Sequence, residues 1–343
     1  MKKAADDQED ADVLAPPPID LLPWHAAACE RLSVAIVSQR MPHGLIVQGP
    51  AGVGKEHFAG ALAAALFCTG REERLEACGH CHECALSRAG THPDVRWVQP
   101  LEEKKSIGVD QVREVCDQLS MTSMRRGYRV AIIVPADKMT PQAQNALLKT
   151  LEEPGPRTLL ILVTARPSAL LPTLRSRCQR VEIARPQSDL ALQWLQNALG
   201  HAAPERLLGL AGGAPLKALG LAPHFDDLEQ QMTGLLEALL TERIEVTRAA
   251  ADMQGAGLPS RLDWLEMWLV EAIRHATTPN DEKPLTLRGA SLLQRAAAEL
   301  NITAAFQVLD RLREARRLLE GNAAAPLVVE TVLFEWRAAV RPR

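Results

Sequence analysis

The spacing of apolar residues changes near Pro186 and divides the chain into two regimes. Before it, short apolar runs alternate with amphipathic stretches; after it, apolar positions recur every three or four residues. Short apolar runs suit buried strands, whereas the 3.6-residue period belongs to helices. The first regime therefore predicts an α/β fold, a mainly parallel sheet covered by helices on both faces. Strands are expected at Gly44–Gln48, Asp94–Val98, Arg129–Val134, Leu159–Thr164 and Gln179–Ile183. A helix is expected between the third and fourth, where Thr140 can cap it, Pro141 suits its first turn and Pro154 stops it.

The second regime predicts an all-helical remainder. A short segment, 187–222, contains Gly212, Gly213, Ala214, Pro215, Leu216 and Lys217 near its end. Two apolar stripes follow, one through Leu228, Met232, Leu235, Leu236 and Leu239, the other through Leu262, Leu265, Trp268, Leu269, Ala272 and Ile273. A last helix is expected from about Pro326, carrying Val328, Val332, Phe334 and Trp336. Such stripes read as core or subunit contact. The polar stretch Thr277–Lys283, which contains Pro279, reads as an exposed loop. Met1–Pro18 is charged, closes on three prolines and reads as a disordered leader.

Composition narrows the class. With 343 residues the chain has room for two or three domains, and 47% hydrophobic but only 3% aromatic residues means cores of Ala, Leu and Val. A net charge of -3 argues against a free-standing DNA binder, so nucleic-acid contact would be local or supplied by an assembly. No apolar run reaches the ~18–20 residues of a membrane helix. The N-terminus is acidic and polar, unlike a secretory signal. These features predict a cytoplasmic protein without a membrane partner.

Two motifs carry candidate chemistry. Gly49, Gly52, Gly54 and Lys55 keep the glycines and lysine of the phosphate loop, in which backbone N–H groups at a helix N-terminus cradle an anion. Glu56, however, stands where a Ser or Thr hydroxyl would hold magnesium. The strand that should end in an Asp-Glu pair leads instead into Val134 and Pro135, and Asp137 comes too late in the chain to replace them. The loop therefore reads as vestigial for hydrolysis, with ATP binding in doubt. The alternative is an active ATPase motor in which Glu56 itself holds magnesium and another acid polarises water.

The second motif is a group of cysteines. Seven cysteines, an odd number in a chain expected in the cytosol, argue against a disulfide framework. Cys68, Cys78, Cys81 and Cys84 supply four soft ligands suited to a tetrahedral structural zinc, with His80 and His82 as substitute ligands. Cys29, Cys116 and Cys178 read as small buried hydrophobes.

Several segments occur in a recognisable order: Pro23-Trp24-His25, the phosphate loop, the four cysteines, Ala89–Asp94, Asn145–Pro154 and Leu174–Cys178. Together they resemble the bacterial clamp-loader members of the AAA+ ATPases. The likeness runs from Trp24 to about Lys217; beyond that it is one of pattern only. The altered loop and missing acids set the chain apart from the family's gamma or tau motors. The resemblance implies an AAA+ P-loop domain over 19–186 with an inserted zinc module (68–84), a helical lid over 187–222 and a helical collar over 223–343 that mediates oligomerisation. It further implies a rigid stator within the pentameric DNA polymerase III loader, which opens the sliding clamp and places it on primer-template DNA. Its partners would be the motor subunits and the clamp-opening delta subunit. Arg177 would serve as an arginine finger in the adjacent motor's ATP site, with Arg175 close enough to share the role. A bond from Arg177 to its own chain's carboxylates is the alternative. Thr164 falls where the family senses γ-phosphate, but Ala165 follows it, and Lys217 replaces a sensing Arg.

Overall fold

The computed structural model describes residues 19–340 apart from 39, 72–74, 102–103, 122, 125–126, 203, 279–289 and 322. The expected leader and residues 279–283 of the expected loop lie outside the described residues. Two compact units meet in sequence at Pro186 and Gln187.

The first unit runs α1 (Ala26–Val37), β1 (Gly44–Gln48), α2 (Lys55–Phe67), α3 (His82–Ala89), β2 (Val95–Val98), α4 (Val109–Ser120) and β3 (Arg129–Ile133). It continues through α5 (Pro141–Glu152), β4 (Thr158–Thr164), α6 (Pro172–Arg175) and β5 (Gln179–Glu182). All five strands are parallel, in the order β2-β3-β4-β1-β5, and each lies within one residue of its expected bounds. This is the expected mainly parallel α/β sheet, with the strand that feeds the phosphate loop inside it. The β1, β3 and β4 backbones are flanked on both sides, and all their residues but Gln48 are buried, which explains the unbroken Val, Ile and Leu runs. Helix α5 starts as expected: Thr140 Oγ1 accepts the Ala143 N–H at 3.2 Å and Pro141 occupies the first turn.

The second unit is helical: α7 (Ser188–Leu199), α8 (Glu205–Leu210), α9 (Pro215–Leu221), α10 (Phe225–Leu240), α11 (Val246–Asp252), α12 (Leu258–Thr277), α13 (Ala290–Ala298), α14 (Ile302–Glu320) and α15 (Ala325–Val340). One apolar core runs through it, from Ala191 and Leu195 on α7 to Trp268 and Trp336, whose rings lie 5.4 Å apart. Segments 187–222 and 223–343 thus share a core. Both expected stripes are largely spent on it, since Met232, Leu236, Leu239, Leu262, Leu265, Trp268 and Leu269 are buried. On α15, Val332 and Trp336 point inward, whereas Phe334 lies outside with Arg337 over its ring.

A turn at Pro23–His25 fastens the chain to the phosphate loop. Trp24 Nε1 donates to the Val53 carbonyl at 2.9 Å, and His25 Nε2 lies 3.2 Å from the same oxygen. His25 Nδ1 accepts the Leu22 N–H at 3.2 Å, so the proton of the neutral ring belongs on Nε2, where it can donate to Val53. A second proton on the ring would set two N–H groups against each other. His25 is fully buried edge-on to Phe58, and burial pulls its pKa down to about 4, against the partial support of the Val53 hydrogen bond. The unfolded ring takes up a proton near pH 6.5 and the folded ring only near 4, so this contribution is whole above pH 6.5 and is lost as pH falls through that window. Stability is expected to drop by about 2 kcal/mol between pH 7 and pH 5 on account of His25. Urea unfolding of wild type and His25→Gln at both values checks this, the variant being weaker at pH 7 but less sensitive to the change.

Candidate functional site

At the carboxyl end of β1 the chain turns through the loop into α2. Gly52 and Gly54 both have φ of 78°, in the left-handed region that glycine adopts at little cost. A Cβ on Gly49 would stand 2.1 Å from the Ile183 carbonyl oxygen, so only glycine fits beside the end of β5. The loop therefore has the backbone of an anion cradle. Its lysine is turned inward: Lys55 is 3% exposed and its Nζ donates to the Pro50 carbonyl at 2.7 Å. Burial lowers its pKa, while Glu56 and Asp137 act in the opposite sense.

The acids that would place metal and water are absent from the end of β3. Val134 is buried and its N–H extends the pairing to Val98 O at 2.9 Å. Pro135 follows it. Asp137 is drawn into a neighbouring network, accepting from Thr164 Oγ1 at 2.7 Å and from Arg166 Nε and Nη2 at 3.1 and 2.9 Å. Arg166 was not legible as a site residue in the sequence, although it lies two positions after Thr164. Lys217 belongs to the other unit, where its Nζ lies 2.6 Å from Asp263 of α12.

Arg177 stands at the amino end of the same sheet. It precedes β5, and Cys178 beside it packs so closely on Gly44 that a Cβ there would lie 2.9 Å from Cys178 Sγ and 2.7 Å from Leu151 Cδ2. The loop is a whole strand away from Gly44, about 16 Å at 3.3 Å per residue. Arg177 Nη2 pairs with Glu152 Oε1 at 2.6 Å and its Nη1 donates to the Thr173 carbonyl at 3.0 Å. The ion pair is solvent-facing, with side-chain exposures of 36% and 51%. Arg175 is half-buried, and its Nε makes no hydrogen bond among the described residues.

The four clustered cysteines converge after α2 and around the start of α3. Their sulfurs all lie within 4.8 Å of one another, with Cys78 to Cys84 at 3.9 Å and Cys68 to Cys81 at 4.0 Å. Metal–sulfur bonds of about 2.3 Å in a tetrahedron would separate the sulfurs by about 3.8 Å, so the set fits one ion. The Cys78 and Cys81 N–H groups point at the sulfurs of Cys68 and Cys78, at 3.2 and 3.4 Å, as thiolates require. His80 and His82 are exposed, and His80 Nδ1 lies 2.8 Å from the Cys78 carbonyl. Of the other cysteines, Cys178 is buried and Cys29 and Cys116 are half-buried. Burial pushes the Cys29 and Cys178 thiols up to about 11, so they remain protonated.

The profile described as "DNA polymerase III, delta subunit" matches residues 24–187. DNA polymerase III subunit delta' of Pseudomonas aeruginosa is 34% identical over 332 residues, covering 94% of this chain and 99% of the relative. The Escherichia coli (strain K12) protein of the same name is 34% identical over 256 residues, or 74% of this chain and 76% of that one. Subunit tau of Bacillus subtilis (strain 168) is 32% identical over 158 residues, 46% of this chain but only 27% of tau. An identity above 30% along nearly the full length of the Pseudomonas protein places this chain in the DNA polymerase III delta' family.

Proposed function

We propose that this chain is a non-hydrolysing stator subunit of a DNA polymerase III clamp loader and that it supplies Arg177 to the ATP site of a neighbouring motor subunit. The reading is carried by the separation of the two chemistries: Arg177 sits at the amino end of the sheet, about 16 Å from its own phosphate loop. An arginine so placed cannot reach its own loop without unfolding the sheet. Its own loop also lacks the acids and hydroxyl that place magnesium and water. The pair with Glu152 is exposed and therefore weakly held. A γ-phosphate carries more charge than one carboxylate, and the planar guanidinium can grip it with two bonds.

Assembly follows from the same reading. Segment 187–222 serves as a lid and 223–343 as the collar through which gamma or tau motors and the delta subunit are met; the sliding clamp and primer-template DNA are engaged through the complex in the cytoplasm. The four cysteines hold a structural zinc, because four thiolates close the tetrahedron and leave no position for substrate or water. One zinc per chain is expected by elemental analysis. Cys81→Ser should lose most of it and loosen the lobe around α3 more than the sheet; undiminished zinc in that variant contradicts the assignment.

An arginine finger contributes roughly 10³ to 10⁵ in rate at its own site. The whole loader has several sites and should lose less. Arg177→Ala is expected to leave zinc content and assembly unchanged while lowering the complex's clamp- and DNA-stimulated ATPase and its clamp loading. Arg177→Lys should rescue poorly, since a single ammonium has no fork. An assembled alanine complex that loads clamps at the wild-type rate returns Arg177 to the role of an ion-pair partner of Glu152.

A further inference from the structure

Asp137 is a buried acid at the nucleotide end of the sheet for which the stator role has no use. Its side chain is 5% exposed, yet it accepts from Thr164 at 2.7 Å and from two nitrogens of Arg166 at 3.1 and 2.9 Å. Thr164 is the register partner of Gln48, the residue before the loop, and neighbouring strands lie only about 4.8 Å apart. The carboxylate therefore stands beside the loop, and its charge acts on Lys55. Lys55 is 3% exposed and, among the described residues, spends one hydrogen bond on Pro50. An ammonium carries three donors, so this buried cation has capacity for a further acceptor.

We propose that Asp137 is a resident anion of this phosphate loop: it masks a site for the phosphates of a nucleoside di- or triphosphate, whose cradle of Gly49, Gly52, Gly54 and Lys55 persists. The proposal rests on the non-hydrolysing reading and deepens it. In a site of low dielectric the fixed carboxylate cancels the positive charge of Arg166 and Lys55 that would otherwise attract an entering phosphate. At the same time it adds to the negative charge that Glu56 sets near the buried lysine. Thr164 and Arg166 hold Asp137 in place, so this end of the sheet keeps one arrangement whether or not nucleotide is present. Glu56, half-buried on the first turn of α2, adds a second carboxylate that weakens anion binding without being held in the network.

The test is calorimetric titration of the full chain with ADP and, separately, with inorganic pyrophosphate. Wild type is expected to show no binding at millimolar ligand. Asp137→Asn, which removes the charge and keeps one acceptor oxygen for Arg166 while its amide N–H can donate to the Thr164 hydroxyl, should bind both at least about tenfold more tightly. Asp137→Asn with Glu56→Gln should bind tighter still, and adding Lys55→Met should abolish the gain. Asp137→Ser replaces Asp137→Asn if thermal melting shows the latter to be unfolded. Wild-type binding as tight as that of the folded variants overturns the proposal, as does a folded variant that still binds neither ligand. Magnesium-dependent ATP turnover, followed in the same samples, separates the two readings: turnover by wild type refutes the stator role, whereas unchanged affinity without turnover refutes only the mask.

Discussion

Strand β1 is held between β4 and β5 by parallel pairing along its length, and each of its ends carries a different chemistry. At the carboxyl end the backbone passes beneath Ile183 and turns into the phosphate loop; at the amino end Gly44 lets Leu151 and Cys178 close on it. Even a methyl group on Gly44 would press on both neighbours. That contact holds Cys178 against the sheet, with the Arg177 carbonyl close by, and so fixes where the arginine emerges. The distance between loop and arginine is thus set by strand geometry, which side-chain motion does not change.

The loop end is tied together by hydrogen bonds within the chain. Trp24 and His25 engage the Val53 carbonyl, Lys55 the Pro50 carbonyl, and Asp137 both Thr164 and Arg166. In a motor, several such groups would wait for phosphate or magnesium and would rearrange when it arrived. Here the buried charges and carbonyls have partners within the chain. That suits the proposed stator role.

Much of this was legible in the sequence because it rests on local chemistry. Glycine spacing marks the loop, the Thr140-Pro141 start and Pro154 stop bracket α5, and unbroken apolar runs mark the buried strands. What was not legible depends on chain reversal. Asp137 reads as too late to reach the site, and its own strand alone gives no reason to think otherwise; β4, running beside both β3 and β1, brings Thr164 and Arg166 to it. The Glu152 partner of Arg177 was open as an unnamed carboxylate and is identified by the packing of α5 against the segment before β5. The stripes on α10 and α12 look the same for a domain core and a subunit contact, and three-dimensional packing assigns them mainly to the core. Phe334 departs from its stripe, since its neighbours on α15 turn inward and leave it outside.

The central claim is that the sheet's two ends serve two different molecules, with no hydrolysis at the chain's own loop. Steady-state ATP hydrolysis by the purified chain with magnesium, alongside Lys55→Ala, measures this most directly. The account predicts no turnover above background for either protein; steady turnover by wild type that disappears in Lys55→Ala contradicts it.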